Sequence, residues 1–286
     1  MRIHAIINLF RPDAVQAAQE ALDGLAAKGI TIGADRDGAK AIGVPAVPSD
    51  EIGDADLVMS FGGDGTLIRA AHLCSERGTP ILGVYFGRFG FVTQCQPSDL
   101  GAAISSFLDG THSIEDRMMI QTEIIRERKT VVTLHSLNES VVQRSATTRL
   151  LTFDVQVDGH ELAKYPADGV MVATPTGSTA YSLSAGGPVV DPKMDALLIT
   201  AIMPHTLSAR PLVLHANAEI LIRVETRGDA VLGCDGQSRL HLLSGDLIKI
   251  TRSPRVTKLM NVDDADFYRK LAERFQWSKG PLLDED

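Results

Sequence analysis

At 286 residues the chain is long enough for two domains of ordinary size, and 44% hydrophobic with 22% charged residues place it among soluble globular proteins. A net charge of −8 argues against a general binder of nucleic acid or anionic membrane, though it leaves room for a local basic pocket. Cys74, Cys95 and Cys234 have no close metal-type spacing and read as reduced thiols of a cytoplasmic protein; no leader peptide opens the sequence and no apolar run is long enough to span a membrane.

Ile3 to Ile7 reads as a first buried strand, followed by a helix over Asp13–Lys28 with Pro12 beside its start and Gly29 just past its end. Ile30 to Ala34 is a second, shorter strand, and a loop rich in Gly, Pro and Asp leads to a strand over Asp56–Phe61. That strand runs into Gly62-Gly63-Asp64-Gly65-Thr66, and Leu67, Ala70, Ala71, Leu73 and Cys74 then give a helical pattern, with the helix expected over Thr66–Arg77. Pro80–Phe86 is another apolar strand, Gly87-Arg88-Phe89-Gly90-Phe91 a second glycine-rich turn on the same rim, and Ser98–Leu108 a short helix. Strands alternating with helices predict a parallel sheet covered on both faces, with ligands at the carboxyl ends of the strands, where Gly62–Thr66 falls.

Glycines allow φ > 0 and let a ligand come close to the main chain, while the first amides of the following helix lack intrahelical partners and point at an incoming anion. Asp64 is out of place in such a phosphate site unless it takes a proton from an attacking hydroxyl or helps to hold a Mg²⁺. The plainer reading is a glycine-rich turn whose Asp caps the helix.

From about Ser113 the period changes from near 3.6 to 2. Ile114–Arg126 and Thr130–Val142 flank a polar turn, and Leu151, Phe153, Val155 and Val157 alternate with polar neighbours up to the hairpin signal Asp158-Gly159. Glu219–Thr226, Ala230–Cys234 before Asp235-Gly236, and Leu247–Arg252 continue the theme, so this half is mostly antiparallel and is expected to be a β-sandwich. Asp264–Gln276 closes the chain as a helix with Phe267, Leu271 and Phe275 on one face, and Trp277 is expected to pack with them. The expected domains are residues 1–98, with the helix of 264–286 packing back on them, and residues 99–263.

Within the β-rich half, strand grammar does not explain Asp168-Gly169-Val170-Met171-Val172-Ala173 running into Thr174-Pro175-Thr176-Gly177-Ser178-Thr179-Ala180-Tyr181-Ser182-Leu183-Ser184-Ala185-Gly186-Gly187-Pro188. Small, hydroxyl-bearing and glycine residues in such density offer amides and hydroxyls to a polyhydroxylated ligand. A Ser/Thr-rich surface loop is the ordinary alternative, and Ala180, Tyr181 and Leu183 interrupt the polarity it would have.

With these stretches, and with Leu137-Asn138-Glu139 and Pro204-His205-Thr206-Leu207-Ser208-Ala209-Arg210-Pro211, the sequence closely resembles the NAD kinases over nearly its whole length. The resemblance implies an N-terminal α/β domain and a β-rich C-terminal domain, with Mg²⁺-dependent transfer of a phosphoryl group from ATP to the adenosine ribose 2′-hydroxyl of NAD, giving NADP. It implies Asp64 as the base, Gly63, Gly65 and Thr66 near the donor phosphates, and Asn138 and Glu139 on hydroxyls of the dinucleotide. It further implies Asp168 at the nicotinamide end, Thr179, Ala180, Tyr181, Ser182, Leu183 and Ser184 around the adenosine, and Arg149 and Gln237 as further contacts. Family members place the active site between the two domains and associate as dimers or tetramers through the β-rich one, with the main chain near Met203 reaching a neighbour. Neither a metal cage of protein ligands nor a nucleic-acid or membrane partner is expected. Tyr85 and Pro166 depart from the family pattern, and the sequence gives no reading of NAD against NADH or of ATP against polyphosphate. A lipid kinase of the related fold and a dinucleotide sensor without turnover are the competing readings. The first leaves Thr176–Gly187 unexplained and lacks a membrane-facing segment; the second leaves Asp64 without a reason.

Overall fold

The computed structural model describes residues 1–87, 90–92, 95–145, 150–225, 229–262 and 266–277. The chain divides into two compact units, Met1–Asp116 with Lys258–Asp286, and Arg117–Thr257.

The first unit is built from β1 (Arg2–Ile7), α1 (Pro12–Ala27), β2 (Thr31–Asp35), α2 (Arg36–Ile42), β3 (Ala46–Val47), β4 (Leu57–Gly62), α3 (Asp64–Cys74), β5 (Ile81–Tyr85) and α4 (Leu100–Leu108). The strands lie side by side in the order β5-β4-β1-β2-β3, all parallel, as the alternation of strands and helices predicts. Every residue of β4 and β5 is buried, which is how the strands of a parallel sheet covered on both faces read. Ala14, Ala18, Leu22 and Leu25 recur at helical spacing along α1 and join Ile3, Ala5, Met59, Phe61 and Leu82 in one core.

Two features of this unit differ from the sequence reading. The stretch expected to be a loop contains α2, closed by Gly43 in the left-handed region (φ 73°), and β3; seven and two residues are too short for apolar periodicity to show. The boundary expected after residue 98 falls after Asp116, because Leu100, Ala103, Ile104 and Phe107 of α4 pack into the core of the first unit.

The second unit contains most of β6 (Ser113–Arg126), then β7 (Lys129–Ser136), β8 (Glu139–Arg144), β9 (Leu151–Val157), β10 (His160–Ala167), β11 (Gly169–Ala173), β12 (Ala196–Ile202), β13 (Leu212–His215), β14 (Ile220–Glu225), β15 (Ala230–Cys234), β16 (Ser238–Leu242) and the first part of β17 (Leu247–Asn261). One antiparallel sheet has the order β13-β12-β11-β8-β15-β16; in the other, β10, β9, β14 and β17 are neighbours and β6 forms a hairpin with β7. Ile120, Phe153, Ile222 and Ile248 from one sheet pack with Val142, Val170, Leu197 and Leu232 from the other, the sandwich that the period-2 pattern predicts. Asp158 and Gly159 (φ 51° and 79°), like Asp235 and Gly236 (φ 50° and 65°), occupy the left-handed region that two-residue hairpin turns require.

The run Thr130–Val142, expected as one strand, is two. β7 ends at Ser136 and β8 starts at Glu139, with Leu137 and Asn138 between them. The last part of β17 belongs to the first unit, where Leu259 pairs in parallel with Ile81. The terminal helix Asp266–Arg274 buries Leu271, and Trp277 stacks on Phe275 with ring centroids 5.1 Å apart while remaining 64% exposed, so it packs on the expected face without being buried.

Candidate functional site

In the first unit, β4 delivers the chain to a rim shared with the carboxyl ends of β1 and β5. The Asn8 N–H donates to the Phe61 carbonyl at 2.9 Å and the Phe86 N–H to the Gly62 carbonyl at 3.1 Å. None of Gly62, Gly63 and Gly65 has a positive φ, so handedness is not why glycine stands at these positions. A Cβ on Gly62 would collide with the Thr66 hydroxyl, whereas a Cβ on Gly63 or Gly65 would meet nothing within 4 Å. The main chain at those two glycines is therefore bare at the start of the eleven-residue helix α3, where unpartnered amides favour an anion.

Asp64 is not the cap. Gly63 takes the capping position, and the half-buried Asp64 carboxylate accepts the Phe91 N–H at 2.8 Å and the Val92 N–H at 3.2 Å. The second glycine-rich turn thus holds the plane of the carboxylate, and the Arg274 guanidinium lies 5.5 Å over the Phe91 ring. Arg88 and Phe89 of that turn lie outside the described residues. Tyr85 is buried and pairs with Gly62 across the β4–β5 ladder. Among the described residues no group of three His, Cys, Asp or Glu side chains stands ready to hold a metal. One carboxylate beside open main chain suits a Mg²⁺ held chiefly by phosphate oxygens, the usual habit of that ion.

In the second unit, Asn138 in the break between β7 and β8 and Glu139 at the start of β8 are both 7% exposed. Leu137 and Asn138 have left the strand ladder, and their N–H groups donate instead to Asp235, at 2.7 Å each; the Glu139 N–H joins them at 3.0 Å. Asn138 Oδ1, Glu139 Oε2 and Thr176 Oγ1 are buried without a hydrogen-bond partner. Each such atom typically costs about 1–3 kcal/mol until a ligand group or an ordered water takes it up. Burial first, then the neighbouring Asp235 charge, pushes the Glu139 carboxyl up to about 7, against which the Tyr181 main-chain N–H donates to it.

The long Thr/Ser/Gly run is folded onto this break and is not a solvated loop. The Thr174 N–H donates to the Asn138 carbonyl at 2.8 Å, the Thr174 hydroxyl to the Leu137 carbonyl at 2.5 Å, and a Cβ on Gly177 would strike the Asn138 main chain. Thr176–Thr179 forms a 3₁₀ turn and Tyr181–Ser184 a single helical turn. Thr179, Ala180 and Leu183 are half-buried, and Tyr181 and Ser184 are exposed. Ser182, expected among the ligand contacts, is fully buried, with its hydroxyl 3.4 Å from that of Thr200 and in the space that a Cβ on Gly187 would take; it belongs to the packing.

Asp168 is paired with Arg144 at 2.7 Å. Met203 is 71% exposed with φ 46°, Gln237 is exposed in the β15–β16 turn, and Arg149 lies outside the described residues. Asp235, Arg144 and Thr176 were not singled out by sequence. Asp-Gly at a hairpin is so ordinary a turn signal that it conceals a second use of the carboxylate.

The family model described as the ATP-NAD kinase N-terminal domain matches residues 6–112, and the ATP-NAD kinase C-terminal domain matches residues 137–262. The chain is 39% identical to the NAD kinase of Moorella thermoacetica, covering 96% of this chain and 89% of that one. Among solved structures, an NAD kinase from Archaeoglobus fulgidus in complex with ATP superposes with a TM-score of 0.78 at 26% identity, over 98% of this chain and 100% of that one. The yeast NADH kinase complexed with NADH, at 24% identity, shares the fold with a TM-score of 0.92 over 99% of this chain and 89% of that chain.

Proposed function

We propose that this chain, which belongs to the ATP-NAD kinase family, transfers the terminal phosphoryl group of ATP to the adenosine ribose 2′-hydroxyl of NAD, giving NADP and ADP. The observation that carries this reading is the trio of buried, unpartnered acceptors at Asn138, Glu139 and Thr176, a set suited to ligand hydroxyls, in the same chain as a glycine loop with bare main chain. The 2′-oxygen forms a bond to the terminal phosphorus as the bridging P–O bond to ADP breaks, and the hydroxyl proton passes to Asp64. Gly63, Gly65 and Thr66 take the donor phosphates, and Asn138 and Glu139 the dinucleotide hydroxyls. Asp168, oriented by Arg144, takes the nicotinamide end, and Thr179, Ala180, Tyr181, Leu183 and Ser184 face the adenosine. Mg²⁺, held by the phosphates and Asp64, would neutralise charge on the transferring group. Little covalent work is left to the protein, so positioning and electrostatics supply most of the rate. Neither the sensor nor the lipid-kinase reading is favoured by the relatives.

A coupled assay for NADP from NAD, ATP and Mg²⁺ tests this, with NADH and polyphosphate as parallel arms. Turnover that stops on chelation with EDTA and returns with Mg²⁺ is the expected result; no product in any arm overturns the proposal.

The second unit also supports self-association. Leu207 is 96% exposed, Met203 71% and Leu243 57%, apolar side chains that a partner subunit would cover. Light scattering on the eluting protein is expected to give the mass of a dimer or tetramer, and a monomer mass rejects this part. Cys74, Cys95 and Cys234 are all free and buried, in keeping with a cytoplasmic setting. Among the described residues no helix is long and apolar enough to cross a membrane.

A further inference from the structure

We infer that Asp235 is a positioning residue for the acceptor dinucleotide: its carboxylate fixes the main chain of Leu137, Asn138 and Glu139, and so aims the Asn138 and Glu139 side chains. The inference rests on the reading that those two side chains take the hydroxyls of NAD.

Two residues that leave a ladder inside a buried sheet must find other acceptors for their N–H groups. Asp235 supplies them from the end of β15, taking three N–H donors at 2.7, 2.7 and 3.0 Å while its own N–H donates back to the Glu139 carbonyl at 3.0 Å. It does so from φ 50°, the left-handed conformation that its Asp-Gly turn requires and that aspartate adopts more readily than most residues.

The three donors call for a carboxylate, and at this place a carboxylate has a cost. Glu139 is buried beside Asp235, and the groups acting on its carboxyl are that second carboxylate and the Tyr181 main-chain N–H, with the buried Cys234 thiol sensing both carboxylates. Two like charges in one buried corner oppose each other, yet an amide in place of the Asp235 carboxylate has one acceptor oxygen and would set its NH₂ group against an N–H donor. The arrangement makes sense if the amides must be held rigidly enough to fix the side chains that follow them, since a misplacement of about 1 Å can cost on the order of 10²-fold in rate.

The test is Asp235→Asn, which keeps the size but turns an NH₂ group toward one of the three N–H donors. NAD binding by calorimetry and full kinetics are measured on wild type and variant. The expected result is kcat/KM for NAD lowered about 10²-fold with KM for ATP unchanged. The pH profile of NAD binding should also move to lower pH, because the charge facing Glu139 is gone. A purely structural role would lower the melting temperature and leave the ATP-to-NAD contrast and the pH profile where they were, which overturns the inference. Wild-type protein that binds no NAD overturns the reading of the site, and the inference with it; equal NAD binding and kinetics in wild type and variant overturn the role of Asp235 alone. Should the variant not fold, amide hydrogen exchange on wild type decides. Asn138 and Glu139 amides that are protected, and more so with NAD, support the clamp; amides that exchange as freely as an exposed loop refute it.

Discussion

Asp64→Asn is expected to lower kcat about 10²–10⁴-fold, the usual span of a general-base contribution, while the affinity for NAD stays nearly unchanged. The carboxylate sits at the first position of α3 with its oxygens oriented by the Phe91 and Val92 amides, so the asparagine fits the same space and keeps an acceptor for one of them. What it loses is the ability to take a proton and the negative charge that helps to hold Mg²⁺. These two losses separate in the measurement. If metal binding dominates, raising Mg²⁺ restores rate to the variant; if proton transfer dominates, kcat stays low at saturating Mg²⁺, ATP and NAD. A parallel fall in NAD affinity and kcat would show that Asp64 serves the ground state, and the base assignment would be withdrawn.

The parts of this molecule that could be read from sequence are those where one residue type has one physical use. Buried parallel strands such as Leu57–Gly62 and Ile81–Tyr85 are apolar throughout, and the Leu151–Val157 strand alternates, so both sheets were legible. The glycine loop was legible as a motif but for a partly mistaken reason, since its glycines serve crowding at Gly62 and leave the main chain open at Gly63 and Gly65, with no left-handed turn. The break at Leu137-Asn138 was not legible. An apolar residue followed by Asn inside a β-branched run looks like continuing strand, and the carboxylate that ends the ladder comes from Asp235, about a hundred residues later in the chain. The Arg144–Asp168 pair was hidden for the same reason, because pairing between strands is fixed by register, which a single sequence does not print. Ser182 shows the converse error: a hydroxyl in a motif was expected at the ligand, and the one-turn helix directs it inward to Thr200.

Glu139→Gln is expected to make the free protein more stable at pH 8 and a poorer binder of NAD. The Glu139 carboxyl titrates near 7 in the folded protein against an ordinary 4.5, first because it is buried and then because Asp235 faces it. Between those two values the folded state keeps a proton that the unfolded chain has released, so the stability this group contributes falls as pH rises across the window. At about 1.36 kcal/mol per pH unit, the rise from 4.5 to about 7 puts the loss at about 3 kcal/mol. Thermal melts at pH 5 and pH 8 read it directly: the wild type should lose stability between them by more than the glutamine variant, and equal losses would refute the burial argument. Binding runs the other way. A carboxylate with an unpartnered Oε2 accepts a ribose hydroxyl more strongly than the carboxylic acid or an amide does, so wild-type affinity for NAD should rise with pH through about 7. In the variant the affinity should be flat in pH and weaker by about 10- to 10²-fold, as expected for losing a hydrogen bond of roughly 1.5–3 kcal/mol to a charged group. The same buried charge thus lowers stability in the empty protein and recovers it through the ligand, and so Glu139, unlike the packing residues around it, should gain in stability what it loses in binding when it is neutralised.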